Sequence, residues 1–341
     1  MFKSTIDMKN IILNFCSKTK MGRIFLFCFS ETFDQEFKEA LIAKKIFNDQ
    51  NNNNKNIFLV RRNIHRIEKG LIIKNRRPIF ALGYIKPTVD NFVELMSNKI
   101  LFEKYEDDLN WAKQVLNKYF SVVEINDFLK KLKLSFDNVV TNSSNICSNL
   151  LPYEFDEISN IPLINFEQFQ SLVNRRRSVR IYKNKPVNNS IIEKALGLAK
   201  YSPSPCNRYS VRYHCISDRV LINKLGTTVG GAKSFMDNVP TLIAITSIGS
   251  AFQGLYDRHA TYIDASLSLM TFIYSLETMG VSSCVINWPK VPKNDRLAKK
   301  YINLEESENI IMLLSVGYAD DKGMIPYSQK MNNSNLIKYY E

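Results

Sequence analysis

The sequence predicts an α+β fold: a mostly helical region first, then a layered domain of strands and helices. Three observations point there. The second half carries short apolar runs, Val211 to Ile216, Thr241 to Thr246, Val281 to Trp288 and Ile310 to Tyr318, that read as strands between helical patterns. Tyr262 to Met279 spaces Ile263, Ala265, Leu269, Phe272, Ile273 and Leu276 as a long apolar helix, stopped by Gly280. Residues 90 to 135 repeat apolar positions with helical period among mixed charges, through Phe92, Leu95, Met96, Trp111, Val115, Leu116, Tyr119 and Phe120.

The elements follow in order. Ile24 to Phe29 is too short an apolar run to span a bilayer, and Lys18, Lys20 and Arg23 interrupt the stretch before it. It reads as a buried strand, with residues 10 to 29 lying flat on a membrane as the rival reading. The N-terminus lacks a signal-peptide apolar region ending in small residues. Asn48 to Asn56 is a low-complexity polar tract, expected to be a flexible loop. If 61–72 is helical, Arg61, Arg62, His65, Arg66 and Lys69 share one face, opposite Ile64, Ile67 and Leu71. With Lys74, Arg76 and Arg77 they form a basic patch, read as a solvated face partly paired with Glu68 rather than a site for phosphorylated or other anionic partners. Only Phe58 and Phe80 lie near it, too few aromatics for a nucleic-acid surface. Ser143 to Pro152 and Ser159 to Pro162 read as linkers, so the chain divides into an accessory region over 1–160 and a second domain over 161–341. There, Pro186-Val187 leads into a helix with Ile191, Ile192, Ala195, Leu196, Leu198 and Ala199 on one face, and Leu221 to Leu225 starts another. Thr241 to Thr246 is the continuous apolar run of a central strand.

Composition narrows the function classes. A chain of 341 residues buries a core, and 45% apolar with 23% charged residues is the balance of a soluble globular protein. A net charge of +13 indicates acidic partners, against the plainer reading of a Lys- and Asn-rich composition. Six cysteines without a C-x-x-C pair and three histidines, His65, His214 and His259, argue against a zinc site and a disulfide scaffold. No metal is expected; reduced thiols in a cytoplasmic protein fit best.

Chemistry concentrates in two motifs about 25 residues apart. Arg175-Arg176-Arg177-Ser178-Val179-Arg180 sets guanidinium forks beside a hydroxyl, donors that suit a phosphate. Tyr201-Ser202-Pro203-Ser204-Pro205-Cys206-Asn207-Arg208 is a polar turn whose backbone N–H groups suit the edge of a flat heterocycle. Gly230-Gly231-Ala232-Lys233 lacks the spacing of a phosphate-binding P-loop and reads as a plain loop. No Cys–His or Ser–His–Asp arrangement can be assembled, so no catalytic acid, base or nucleophile is assigned.

Over roughly 170 to 335 the sequence resembles the FMN-dependent nitroreductases. The resemblance rests on Arg176-Arg177-Ser178-Val179-Arg180, Pro203-Ser204-Pro205-Cys206-Asn207, Asn238-Val239-Pro240 leading into Thr241 to Ile245, Tyr262 to Cys284, and Val316-Gly317-Tyr318 with Pro326, Ser328 and Lys330. It implies a mixed sheet flanked by helices in an intertwined homodimer. It also implies that Arg176, Arg177, Ser178 and Arg180 hold the phosphate and ribityl chain of FMN, with Lys330 completing the phosphate pocket. Pro203, Ser204, Pro205 and Asn207 would reach the flavin from the partner subunit. Ile286 and Asn287 would run over the ring, where the bulky Trp288 would narrow the substrate space. Arg175 falls outside the box and is expected to face solvent. Pro205, Arg208, Asn287 and Trp288 depart from the family's commonest residues.

The resemblance therefore implies an oxidoreductase passing electrons from NADH or NADPH to a small-molecule acceptor by ping-pong kinetics. FMN does the electron chemistry while the protein orients and tunes it. Two alternatives stand beside it. One is a non-catalytic flavin- or nucleotide-binding regulatory protein; the other is a membrane-surface protein whose basic N-terminal half docks on an anionic partner or lipid.

Overall fold

The computed structural model describes residues 11–141 and 149–340. Cys147 and most of the linker expected over Ser143 to Pro152 lie outside the described residues. The fold is α+β. Four strands, β1 (Val211–Ile216), β2 (Thr241–Ile248), β3 (Ser282–Asn287) and β4 (Glu308–Gly317), form one sheet in the order β1-β2-β4-β3, each neighbour antiparallel. The parallel contribution is a single bridge, Ser178 to Ser283 at the β3 edge.

β2 is buried at every residue because both faces are covered. Alternation along the strand sends Leu242 and Ala244 into one apolar cluster and Ile243 and Ile245 into the other. A bulge between Ile245 and Thr246 puts an extra residue into β4, so Ile310 and Leu313 share a face although an even spacing would be needed without it. The Ala260–Thr278 helix packs Ala265, Leu269, Phe272 and Leu276 on the sheet. It ends as its sequence foretold: Gly280 sits at φ 74°, its N–H donates to Glu277 O, and Val281 N–H reaches back to Leu276 O.

The first half is helical. Ile57–Leu71, Leu82–Ser97, Glu106–Val122 and Asp127–Val140 surround a core that includes Ile64, Ile67, Phe92, Leu116 and Phe136. The abundance of asparagine has a local role there, since Asn56, Asn98 and Asn126 each cap a helix by accepting its third N–H. That core does not stop at the sheet domain, because Ile248, Ala251 and Phe252 belong to it. The Glu31–Asn52 helix adds ties of its own, with Glu39 3.2 Å from Lys290 and Glu36 3.5 Å from Arg258.

Two expectations are corrected. The strand read over 24–29 is part of the Lys20–Phe29 helix, opened by Thr19 accepting from Gly22 N–H, and it is not buried: Phe25, Phe27 and Phe29 are exposed. Phe25 and Phe29, one helical turn apart, stack with centroids 4.8 Å apart, a contact that extended backbone would forbid. The polar tract over 48–56 is a loop only from Asn53 to Asn56. Helix runs through Asn52, and Asn56 is fully buried, its N–H bonded to the Asn91 side chain at 2.8 Å. Among the described residues no helix is long and apolar enough to cross a membrane.

Candidate functional site

The arginine box is held as a short extended segment against the β3 edge. The Phe166–Arg175 helix stops at Arg176, and Val179 N–H then bonds Ser283 O at 3.1 Å. Val179 is buried, which leaves the half-buried Ser178 and Arg180 on the opposite side of the extended chain. Tyr182 anchors the far end from inside: its hydroxyl donates to Val179 O at 2.6 Å and meets Ser315 Oγ at 2.8 Å. Asn238 clamps the same segment, accepting from Tyr182 N–H at 2.9 Å and donating to Arg180 O at 3.1 Å. Gly317 is required beside it, since a Cβ there would lie 2.7 Å from both Pro240 Cγ and the Tyr182 ring.

Three of the box residues converge on Cys284 of β3. Burial pushes the Cys284 thiol up, while Arg180, a hydrogen bond from Ser178 and the charge of Arg176 pull the other way. Burial prevails, so the thiol is less acidic than an ordinary cysteine. Arg177 folds onto its own backbone, with Nη1 2.8 Å from Arg176 O. Arg175 is largely exposed, as expected, yet pairs with the buried Glu277 at 3.0 Å.

A cleft of about 440 Å³ opens beside this segment. Arg180, Ile286 and Asn287 line it together with Gly230, Gly231 and Phe235, and no carboxylate does. Gly230 and Gly231 have open space where side chains would project. A second cavity of about 650 Å³ shares Arg180 and Phe235 and adds Lys322, Met324 and Pro326. Lys330 lines neither; it is exposed, with Nζ on Ser328 O at 2.8 Å. The cation beside Arg180's second cavity is Lys322, which sequence reasoning passed over.

Trp288 departs from expectation. Its indole is buried and donates to Asp295 Oδ1 at 2.7 Å, so it does not overhang the cleft. Burial is the largest influence on the Asp295 carboxyl and raises it.

The polar turn is tightly built and lies apart from the cleft. Pro205 to Asn207 form a 3₁₀ turn in which Cys206 and Asn207 have φ of 53° and 55°, and Tyr209 follows at 52°. Such left-handed backbone at residues other than glycine persists where surroundings hold it. Here Ser204 Oγ accepts from Tyr209 N–H at 2.9 Å, and Arg61 Nε–H donates to Asn207 O at 2.8 Å. Arg61 also pairs with Asp108 and stacks between Trp111 and Tyr209, 5.5 and 5.1 Å from their centroids. Nothing near 203–207 in the sequence signalled that partner. Among the described residues, no group of three His, Cys, Asp or Glu side chains is arranged to hold a metal.

Residues 173–230 and 223–318 match the sequence profile of the nitroreductase family. A protein of Archaeoglobus fulgidus that bears the provisional name NADH dehydrogenase/NAD(P)H nitroreductase is 21% identical over 159 residues, spanning 46% of this chain and 88% of its own length. Among solved structures, an FMN-dependent nitroreductase of Clostridium difficile superposes with a TM-score of 0.43 at 19% identity, covering 50% of this chain and 98% of its own. A Bacillus subtilis protein provisionally named a nitroreductase gives 0.46 at 16% identity, over 52% and 100%. Residues 173–318 of this chain are a nitroreductase-family domain.

Proposed function

We propose that the chain is an FMN-dependent oxidoreductase, its domain over 161–341 binding the cofactor and its region over 1–160 an accessory to it. The observation that carries this reading is that Arg180, Ile286 and Asn287 line one cleft with Cys284, the thiol on which Arg176 and Ser178 also act. The donor set fits the group: the Arg180 guanidinium, with no carboxylate among the described residues lining that cleft, suits a phosphate, Asp320 entering only the adjoining cavity, and two glycines leave room for a flat ring. When bound, FMN supplies two-electron chemistry, taking electrons from NADH or NADPH and delivering them to a small-molecule acceptor in alternate half-reactions.

The chain's own residues position and neutralise. Arg176 and Arg180 offset phosphate charge, held to a fixed direction by Asn238 and Tyr182. Arg177 and Ser178 would complete the phosphate-side set with Lys322 as an added cation, whereas Lys330, outside both cavities, would have to swing in to join them. The reading includes a homodimer: the turn at 203–207 lies outside its own chain's cleft, and Pro203, Ser204, Pro205 and Asn207 would serve that of a second copy. The Ala260–Thr278 and Asn189–Ala199 helices leave Ile263, Leu267, Met270, Leu196 and Leu198 exposed, an apolar surface that a second copy would cover. The reading keeps the protein in the cytoplasm, on the ground of six cysteines without a C-x-x-C pair.

The test is spectroscopic. Purified protein loaded with FMN should bleach on adding NADH or NADPH and regain colour with an acceptor. Bound flavin that never cycles would instead support a regulatory binder.

A further inference from the structure

We propose that a third cavity, built wholly from the helical region, is a binding site for a phosphorylated small molecule bearing a flat ring, of the nucleoside diphosphate class. This does not rest on the FMN reading, since the cavity shares no residue with the cleft. It holds about 500 Å³ where the Ile57–Leu71 helix hands over to the Leu82–Ser97 helix, within the range of small-molecule sites.

Its walls are chemically one-sided. Arg66, Lys69, Arg76 and Arg77 line it and, among the described residues, no carboxylate does. The acid on the same helix, Glu68, is engaged elsewhere: Oε1 accepts from Trp111 Nε1 at 2.8 Å and Oε2 lies 3.3 Å from His65 Nδ1. Four cations around one void repel one another, and a polyanion in the void turns that repulsion into attraction. The arginines are already directed. Arg66 lies 3.7 Å over the Tyr84 ring and donates to Asn63 Oδ1 at 3.3 Å; Arg76 lies 5.9 Å from the Phe80 centroid and donates to Leu71 O at 3.3 Å. Guanidinium groups braced on aromatic planes keep N–H donors for phosphate oxygens, and the same planes offer stacking to a flat ring.

The cavity is held open by close packing. Phe80 sits where a Cβ on Gly70 would lie 2.4 Å from its ring, and it meets Tyr119 edge-on at 5.0 Å. Tyr119 fixes the backbone there, its hydroxyl donating to Phe80 O at 2.8 Å. The next residue, Ala81, has φ 65°, left-handed backbone at an alanine that also lines the cavity. Strain of this kind gathers at binding sites.

The experiment is calorimetric titration of the full chain, saturated with FMN, using ADP and inorganic pyrophosphate as probes. We expect both to bind, with affinity falling as salt rises. Arg66→Gln with Arg77→Gln should weaken both at least tenfold while leaving the melting temperature without ligand unchanged. Tyr84→Leu should weaken ADP more than pyrophosphate. The proposal is overturned if neither probe binds up to about 1 mM, or if both bind the double variant as tightly as the parent. A third arm uses phosphatidylcholine vesicles containing phosphatidic acid. Sedimentation with them that is lost in the double variant, without ADP binding, would assign the cations to a lipid headgroup and also overturn it.

Discussion

The Nε–H of Arg61 donates to the carbonyl oxygen of Asn207 across 2.8 Å, joining the first-half helix bundle to the tightest turn of the polar loop. The same guanidinium pairs with Asp108 and lies over Tyr209, so one side chain braces three neighbours of a strained backbone. The helical half is thereby coupled to the segment that would contact the cofactor in a second copy.

Arg61→Ala should therefore act on both fold and ligand. Losing a largely buried charge-assisted bond costs about 2 kcal/mol, read as a lower urea midpoint, and the loosened turn should weaken FMN several-fold. Arg61→Lys keeps charge without the fork and should recover only part of the FMN affinity. Unchanged FMN affinity in Arg61→Ala would separate the two halves functionally.

Asn238 makes a different kind of test, because its side chain holds backbone and touches no charge. Its bonds to Tyr182 N–H, Arg180 O and Phe235 O fix the arginine box. Asn238→Ala should cost about 2 kcal/mol and weaken FMN about tenfold, whereas Asn294→Ala, which removes a bond to Thr228 O, should leave FMN affinity alone. Fluorescence titration of FMN checks both.

Gly317→Ala tests the packing beneath the box. The added methyl meets Pro240 and the Tyr182 ring at 2.7 Å, and overpacking of this kind costs about 1–3 kcal/mol. Gly197, with nothing within 4 Å, should accept alanine without loss of melting temperature.

Acid sensitivity should be traceable to Glu308. Burial pushes its carboxyl up, but hydrogen bonds from His214 at 2.6 Å and from Thr246 outweigh burial and hold it below its ordinary value of 4.5. A carboxylate with a lowered folded pKa stabilises above the unfolded value, and that stability is lost as pH falls through the folded one. Urea midpoints should therefore drop below about pH 4.5, and the drop should be shallower in Glu308→Gln.

Much of the sheet domain was legible because its signals are local. The run Thr241 to Thr246 could only be a doubly covered strand, and Gly280 could only stop a helix. The arginine box was legible as donors from its residue types alone. What failed depended on partners far away in sequence. The 24–29 segment looked like a strand until Thr19 supplied a cap, and Asn56 looked like loop until Asn91 buried it. Trp288 was sent toward the cleft because its acceptor, Asp295, lies on the following helix. Lys322 and Arg61 carried no motif, only position. The basic face of 61–72 read as solvated because its charges are visible in sequence, while the void that Gly70 and Phe80 shape beside them is not.

The most direct measurement is the dissociation constant of FMN, set beside that of riboflavin, for the native chain and for Arg176→Ala with Arg180→Ala. We predict that the native chain binds FMN far more tightly than riboflavin. The double variant should keep its fold, lose about 100-fold in FMN affinity and no longer discriminate between the two. Equal affinity for FMN in the native and double-variant proteins would contradict a phosphate grip by this arginine pair.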